Sequence, residues 1–169
     1  LKPEKKSYSV IMSPRQVELI RVDDGKNIVL STNNVVVRID KTTGKIAFCS
    51  RTNEPLLVEK EYGVSFVPVK DGRKDSYKIS QDFKLDKDEI IYGLGQQQTG
   101  MLNQRGQSLM LRNENTKVCI PYITSEKGYG VYWDNPAPTV FADSKQNTSF
   151  ESEVGVMADY YFLYTDGTQ

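Results

Sequence analysis

The chain reads as an all-β domain, and three observations lead there. Apolar residues alternate with a period of two over short runs instead of recurring every three or four positions. Turn-forming residues interrupt those runs about every ten positions, the spacing of sandwich and barrel strands. The runs are rich in Val, Ile, Tyr and Phe, side chains that fit a pleated, half-buried surface. Many short strands at this spacing make a sandwich or a barrel. No internal repeat or linker divides the chain, and no stretch carries a convincing amphipathic helix.

The first candidate element is RQVELIRV, residues 15–22. Its composition also suits a short helix, but Val17, Leu19 and Val22 alternate, imperfectly, as in a strand. In NNVVVRID, residues 33–40, Val35, Val37 and Ile39 share one face. DKTTGK then supplies a turn in which Gly44 can take a positive φ. KIAFCS returns with Ile46 and Phe48 alternating, so the pair reads as a hairpin. YGVSFVPV, residues 62–69, sets Tyr62, Val64 and Phe66 on one side. The Asp71-Gly72 turn follows, and YKISQDF comes back. Pro68 marks this run as an edge or a strand end, because proline has no N–H for a ladder. SLMLRN, KVCIPYIT, GYGVYWD, TVFAD, TSFESEV and DYYFLYT complete the strand set.

Bulk properties exclude several functions. A chain of 169 residues buries about 70% of its unfolded surface, enough for a core without staples. Lys+Arg and Asp+Glu both number 22, which argues against a nucleic-acid groove or an anionic membrane surface as partner. No window approaches the roughly 18 apolar residues of a membrane span. The opening LKPEKKSYSVIMS lacks the apolar core of a signal peptide, and a start at Leu1 reads as a processed or excised piece. Cys49 and Cys119 could form one bridge or stay as separate thiols. The chain has 0 His, which removes Ser-His-Asp and Cys-His nucleophile systems and the common zinc motifs. No metal or cofactor is expected.

YGLGQQQTGMLNQRGQ, residues 92–107, invites a phosphate-cradle reading. It fits neither the dinucleotide fingerprint nor a Walker loop, and no helix pattern follows to present amides to phosphate. Gly93 and Gly95 fit better as a bend or a close approach to another backbone. Gln96, Gln97 and Gln98 could offer both donor and acceptor to sugar hydroxyls.

The order and spacing of IIYGLGQQQTGMLNQRGQ, IPYITSEKGYGVYWDN and DYYFLYTDG resemble the N-terminal domain of glycoside hydrolase family 31, the α-glucosidase and α-xylosidase family. The opening hairpin, with PLLVE after it, is similar too, so the resemblance covers roughly residues 17–168. It implies a β-sandwich of the galactose-mutarotase-like type over 17–169, preceded by an extension or first strand at 1–16. It implies as partner a catalytic (β/α)8 barrel of the same polypeptide, whose two aspartates retain configuration. In the family the nucleophile lies in W-x-D-M. Here Trp133 is followed directly by Asp134 and then Asn135, so no catalytic residue is expected in this chain. The resemblance also implies a loop that reaches the substrate pocket, matched by LRNENT, residues 111–116. Arg112, Asn113, Glu114 and Asn115 are its candidates, in a variant of the family's triplet that leaves open which side chain faces sugar. Oligosaccharide would be met only through the full enzyme, in a periplasmic or extracellular setting.

Two other functions compete: an independent carbohydrate-binding module, and a mutarotase-like epimerase, which the absence of His disfavours. Asp134, Glu114, Asp143 and Asp159 are taken as surface carboxylates flanking strands. Trp133, Tyr122, Tyr129 and Tyr132 could form a sugar platform, an interdomain face or core. A face left without its barrel would expose several hundred Å² of apolar surface and promote self-association.

Overall fold

The structure is a computed structural model describing residues 7–13 and 15–165. Among these residues every regular element is a strand. In chain order they are β1 (Ile20–Asp23), β2 (Asn27–Ser31), β3 (Val35–Asp40), β4 (Ile46–Ser50), β5 (Pro55–Asp71), β6 (Lys74–Lys84), β7 (Ile91–Gln96), β8 (Ser108–Leu111), β9 (Val118–Ser125), β10 (Tyr129–Trp133), β11 (Thr139–Asp143), β12 (Thr148–Gly155) and β13 (Tyr160–Tyr164). The large sheet has nine strands in the order β1-β2-β3-β4-β5-β6-β12-β11-β8, and the small sheet has four, β13-β10-β9-β7. All pairings are antiparallel. The expected all-β sandwich is what the chain builds.

Alternation decides what is buried. Tyr129, Val131 and Trp133 of β10 point inward, as do Ile79 and Phe83 of β6, Phe141 of β11 and Phe150 of β12, all between 0% and 1% exposed. Trp133 and Phe150 stack with ring centroids 6.0 Å apart, joining the two layers. Leu57, Ile91, Leu94 and Ile123 complete the core. Each fully buried side chain of this size contributes about 1.5–3 kcal/mol, so this layer supplies the main driving force.

The hairpin of β3 and β4 forms with the expected faces, pairing Val37 with Phe48 and Ile39 with Ile46. β1 begins at Ile20, so Arg15–Leu19 of the first candidate is irregular. Of the expected extension at 1–16, residues 1–6 and 14 lie outside the described residues, as do 166–169 at the other end.

β5 and β6 differ from the expected short strands. They form one long arm in which residues 64–71 of β5 pair with β6 alone. Pro68 lies opposite Tyr77 of β6, on a stretch of β5 whose other side has no strand partner among the described residues, the edge position that proline tolerates. Between Glu59 and Val64 the register shifts, and Tyr62 takes φ 53. That irregularity removes Tyr62 from the alternation with Val64 and Phe66, because β5 there advances five residues against two of β6 and the odd excess resets which side faces in.

Candidate functional site

The loop predicted to reach a substrate pocket connects β8 to β9. Leu111, 6% exposed, seats its first end in the core. Glu114 and Lys117 then bond backbone to backbone, with Thr116 at φ 68, which closes a tight turn. Asn113 fastens the turn: its Oδ1 accepts the Cys119 N–H at 2.7 Å. The Cys119 thiol in turn donates to the Arg112 carbonyl at 3.2 Å.

Charge organises the tip. Arg112 Nη2 donates to Glu114 Oε1 at 2.7 Å, and Lys117 Nζ lies 3.6 Å from Glu114 Oε2. The hydrogen bond and charge of Arg112, then the charge of Lys117, hold the Glu114 carboxyl below its ordinary range. Glu114 is thus an anion already engaged with two cations. Its partner's guanidinium is shifted upward by the same contact.

Arg112 and Asn113 line a cleft of about 370 Å³, together with Tyr132, Asn135, Pro138 and Thr139. Glu114 and Asn115 stand outside that lining on the exposed tip. Asn113, Asn135, Arg112 and the hydroxyls of Ser9 and Tyr132 line the cleft, residue types that recognise a polyol by hydrogen bonds, whereas the buried Thr139 hydroxyl is taken up by Ala137 and Ser152.

The glycines of residues 92–107 are where the backbones meet. Gly93 has φ +115, and a Cβ on it would stand 2.4 Å from the Tyr122 carbonyl oxygen. Gly95 has φ +80, and a Cβ there would stand 2.1 Å from the Val118 carbonyl. The β7–β9 register shifts between them, and buried Leu94 itself takes φ 65. The expected bend and the expected close approach both occur. Gln97 Nε2 donates to the Leu94 carbonyl at 2.8 Å and lies 3.4 Å from Cys119 Sγ. That amide braces the bulge and ties it to the start of β9, where Cys119 holds the β8–β9 loop.

Cys49 and Cys119 are separate thiols, and burial pushes the Cys49 thiol up. The four aromatic candidates divide by strand alternation: Trp133 and Tyr129 are core, whereas Tyr122 and Tyr132 face outward. Two carboxylates correct the surface expectation. Asp134 is 4% exposed and Asp143 is 8% exposed. Asp143 accepts Arg105 Nε at 3.0 Å and the Gly106 N–H at 2.6 Å, so it pins the residue 104–107 turn to β11. Buried acids are tolerated where donors surround them in this way.

Sequence reasoning missed Glu89, 3% exposed. Its Oε1 accepts the Ser125 hydroxyl at 2.6 Å and the Tyr129 hydroxyl, and Lys127 lies 3.4 Å from Oε2. Within DKDE, residues 86–89, nothing separates it from a solvated turn except the apolar pair that follows. Burial would lower the Lys127 ammonium, but its hydrogen bond to Asp86 and the charges of Glu89 and Asp86 outweigh it and raise it. Among the described residues no cluster of His, Cys, Asp and Glu could hold a metal.

Residues 2–141 match the family model described as the glycosyl hydrolase 31 N-terminal galactose mutarotase-like domain. An α-xylosidase of Saccharolobus solfataricus is 35% identical over 54% of this chain, which is 14% of that protein. The crystal structure of the family 31 α-xylosidase of Xanthomonas citri superposes with TM-score 0.74 and 32% identity, over 81% of this chain and 15% of that one. A soil-metagenome α-xylosidase shares the fold over 98% of this chain, with TM-score 0.84 and 22% identity, and 27% of that chain is covered. The chain thus spans between a seventh and about a quarter of the length of these relatives. It belongs to the glycosyl hydrolase 31 N-terminal galactose mutarotase-like domain family.

Proposed function

We propose that this chain is the non-catalytic N-terminal β-sandwich of a retaining α-glycosidase acting on α-xylosides or α-glucosides. In this reading it packs on a (β/α)8 barrel of the same polypeptide and lends the loop at 112–115 to the substrate pocket. The family match over residues 2–141 carries the reading, because that family is the N-terminal domain of such enzymes. The loop supports its second half. Arg112 and Asn113 open into a polar cleft, and Asn113 and Cys119 hold the loop in one shape. A preshaped loop loses little entropy on meeting a ligand.

An outward aromatic row on the small sheet favours one other reading, a carbohydrate-binding module that acts alone. Titrating the 169-residue chain with xylo- and gluco-oligosaccharides separates the two. A domain that works only with its barrel shows no saturable binding below about 1 mM, an affinity of roughly 4 kcal/mol. Submillimolar binding establishes the module instead.

A further inference from the structure

We infer that the outer face of the small sheet is the surface that docks on the rest of the polypeptide, the barrel of the proposed enzyme. The inference rests on that reading and adds which face is used. Pairing aligns Tyr122, Tyr132 and Tyr161 in one row across β9, β10 and β13. The adjacent row holds Tyr92, Thr124, Gly130 and Leu163. Residues opposite one another share a face, and these rows lie opposite to the core-facing Val131 and Trp133.

The face is apolar and level. Leu163 is 46% exposed and Ile120 48%. A Cβ at Gly130 would lie 2.2 Å from the Tyr122 hydroxyl, so that ring lies down over the glycine instead of standing up from the sheet. A hollow of about 350 Å³ opens among Val10, Tyr122, Tyr132, Tyr161 and Leu163. The outer face of the large sheet mixes charge with apolar side chains. It carries Lys78 paired with Glu151 at 2.6 Å, and Ser80, Asp82 and Ser149 beside them, which interrupt the exposed Val67 and Met110 of the same rows. Charges set among apolar residues suit water, whereas a contiguous apolar patch marks an interaction site.

Three observations select the same polypeptide as the occupant. In the two solved α-xylosidases this fold is 15% and 27% of a longer chain, so a much larger partner is covalently present in them. β13 is the edge strand of this sheet, and Thr165, which follows it, bonds to the Gly128 carbonyl at 3.0 Å. Thr165, the last described residue, therefore lies at the border of this face. Finally, Ser9 and Tyr132 line both the hollow and the Arg112–Asn113 cleft, so docking here brings that loop to the partner's surface.

Hydroxyl-radical footprinting of the full-length polypeptide tests this. Ile120 and Leu163 are exposed here to the same degree as Val64, 48%, and Val22, 51%. Docking predicts modification of Ile120 and Leu163 at least about five-fold slower than of the two valines, as expected for residues at the dry centre of an interface. Equal rates overturn the proposal. So does protection that appears only after xylo- or gluco-oligosaccharide is added, which would make the face a glycan platform. Turnover of aryl α-xyloside and α-glucoside by the same sample reports on the enzyme reading separately. Turnover with equal labelling rates sinks the face alone. Protection without turnover sinks the enzyme reading and leaves the docking face standing.

Discussion

Trp133 Nε1 donates a 2.8 Å hydrogen bond to Ser152 Oγ, crossing from the small sheet to the large one. Thr139 Oγ1 lies 2.7 Å from the same serine oxygen and donates to the Ala137 carbonyl at 2.9 Å. The Ser152 proton must then go to Thr139, which gives one directed chain from indole to backbone. It ends in the Asn135–Pro138 segment that walls the cleft. Core packing and cleft shape are coupled through these hydroxyls.

Replacing Ser152 with Ala strands the buried Trp133 N–H and takes the hydroxyl donor from Thr139. The expected loss is about 1–3 kcal/mol. Chemical denaturation followed by the emission of the single Trp measures it. The midpoint should fall while the slope stays unchanged.

Gly95→Ala and Gly100→Ala separate close approach from backbone conformation. Both glycines have positive φ, +80 and +70, but only Gly95 has a carbonyl within 2.1 Å of an added Cβ. The left-handed conformation alone costs about 1–2 kcal/mol, which is the expectation for Gly100→Ala. Gly95→Ala adds a backbone clash and should cost about 3 kcal/mol or more. Thermal unfolding of the two variants side by side decides it.

Alkaline pH should destabilise the fold through buried tyrosines. Burial, and then the charge of Glu89, raise the Tyr129 hydroxyl far above its ordinary value of 10.0. Burial and Glu59 do the same for Tyr160, whose hydroxyl donates to Glu59 at 2.7 Å. Above about pH 10 the unfolded chain releases these protons and the folded one keeps them, so stability falls as pH rises. Below that range neither group contributes a slope. Tyr129→Phe together with Tyr160→Phe should flatten the decline between pH 10 and 11.5, read as denaturant midpoint against pH.

In the full-length protein, Asn113→Ala should lower kcat/KM for an α-xyloside or α-glucoside about ten-fold, a transition-state loss of roughly 1.4 kcal/mol. It frees the Cys119 N–H that fixes the loop. Glu114→Gln should leave the thermal midpoint unchanged, since its ion pairs are exposed. A fall in midpoint without a change in kcat/KM for Asn113→Ala would make the loop structural only.

Much of the fold was legible because half-buried strands print their period directly in the sequence. The β3–β4 hairpin follows from counting alternate positions, whereas which of Tyr122, Tyr129, Tyr132 and Trp133 are core was left open, because alternation pairs residues on a face without saying which face is buried. The β5 irregularity did not follow from counting either, because its signal is the conformation of Tyr62 and not its hydrophobicity. Burial of Asp134, Asp143 and Glu89 was also illegible. Asp143 and Glu89 depend on partners distant in sequence, Arg105 for Asp143, 38 residues away, and Ser125 for Glu89, 36 residues away. At the candidate site the residue types were visible, but the cleft was not. It arises only where the β8–β9 loop meets the Asn135–Pro138 segment.

The central claim is that this chain serves a glycosidase whose chemistry lies elsewhere in the polypeptide. Parallel assays of the isolated 169-residue chain and the full-length product, on aryl α-xyloside and α-glucoside, test it most directly. The account predicts turnover by the full-length product with retention of configuration, and none by the isolated chain. Hydrolysis by the isolated chain, or none by the full-length product on either substrate, would contradict it.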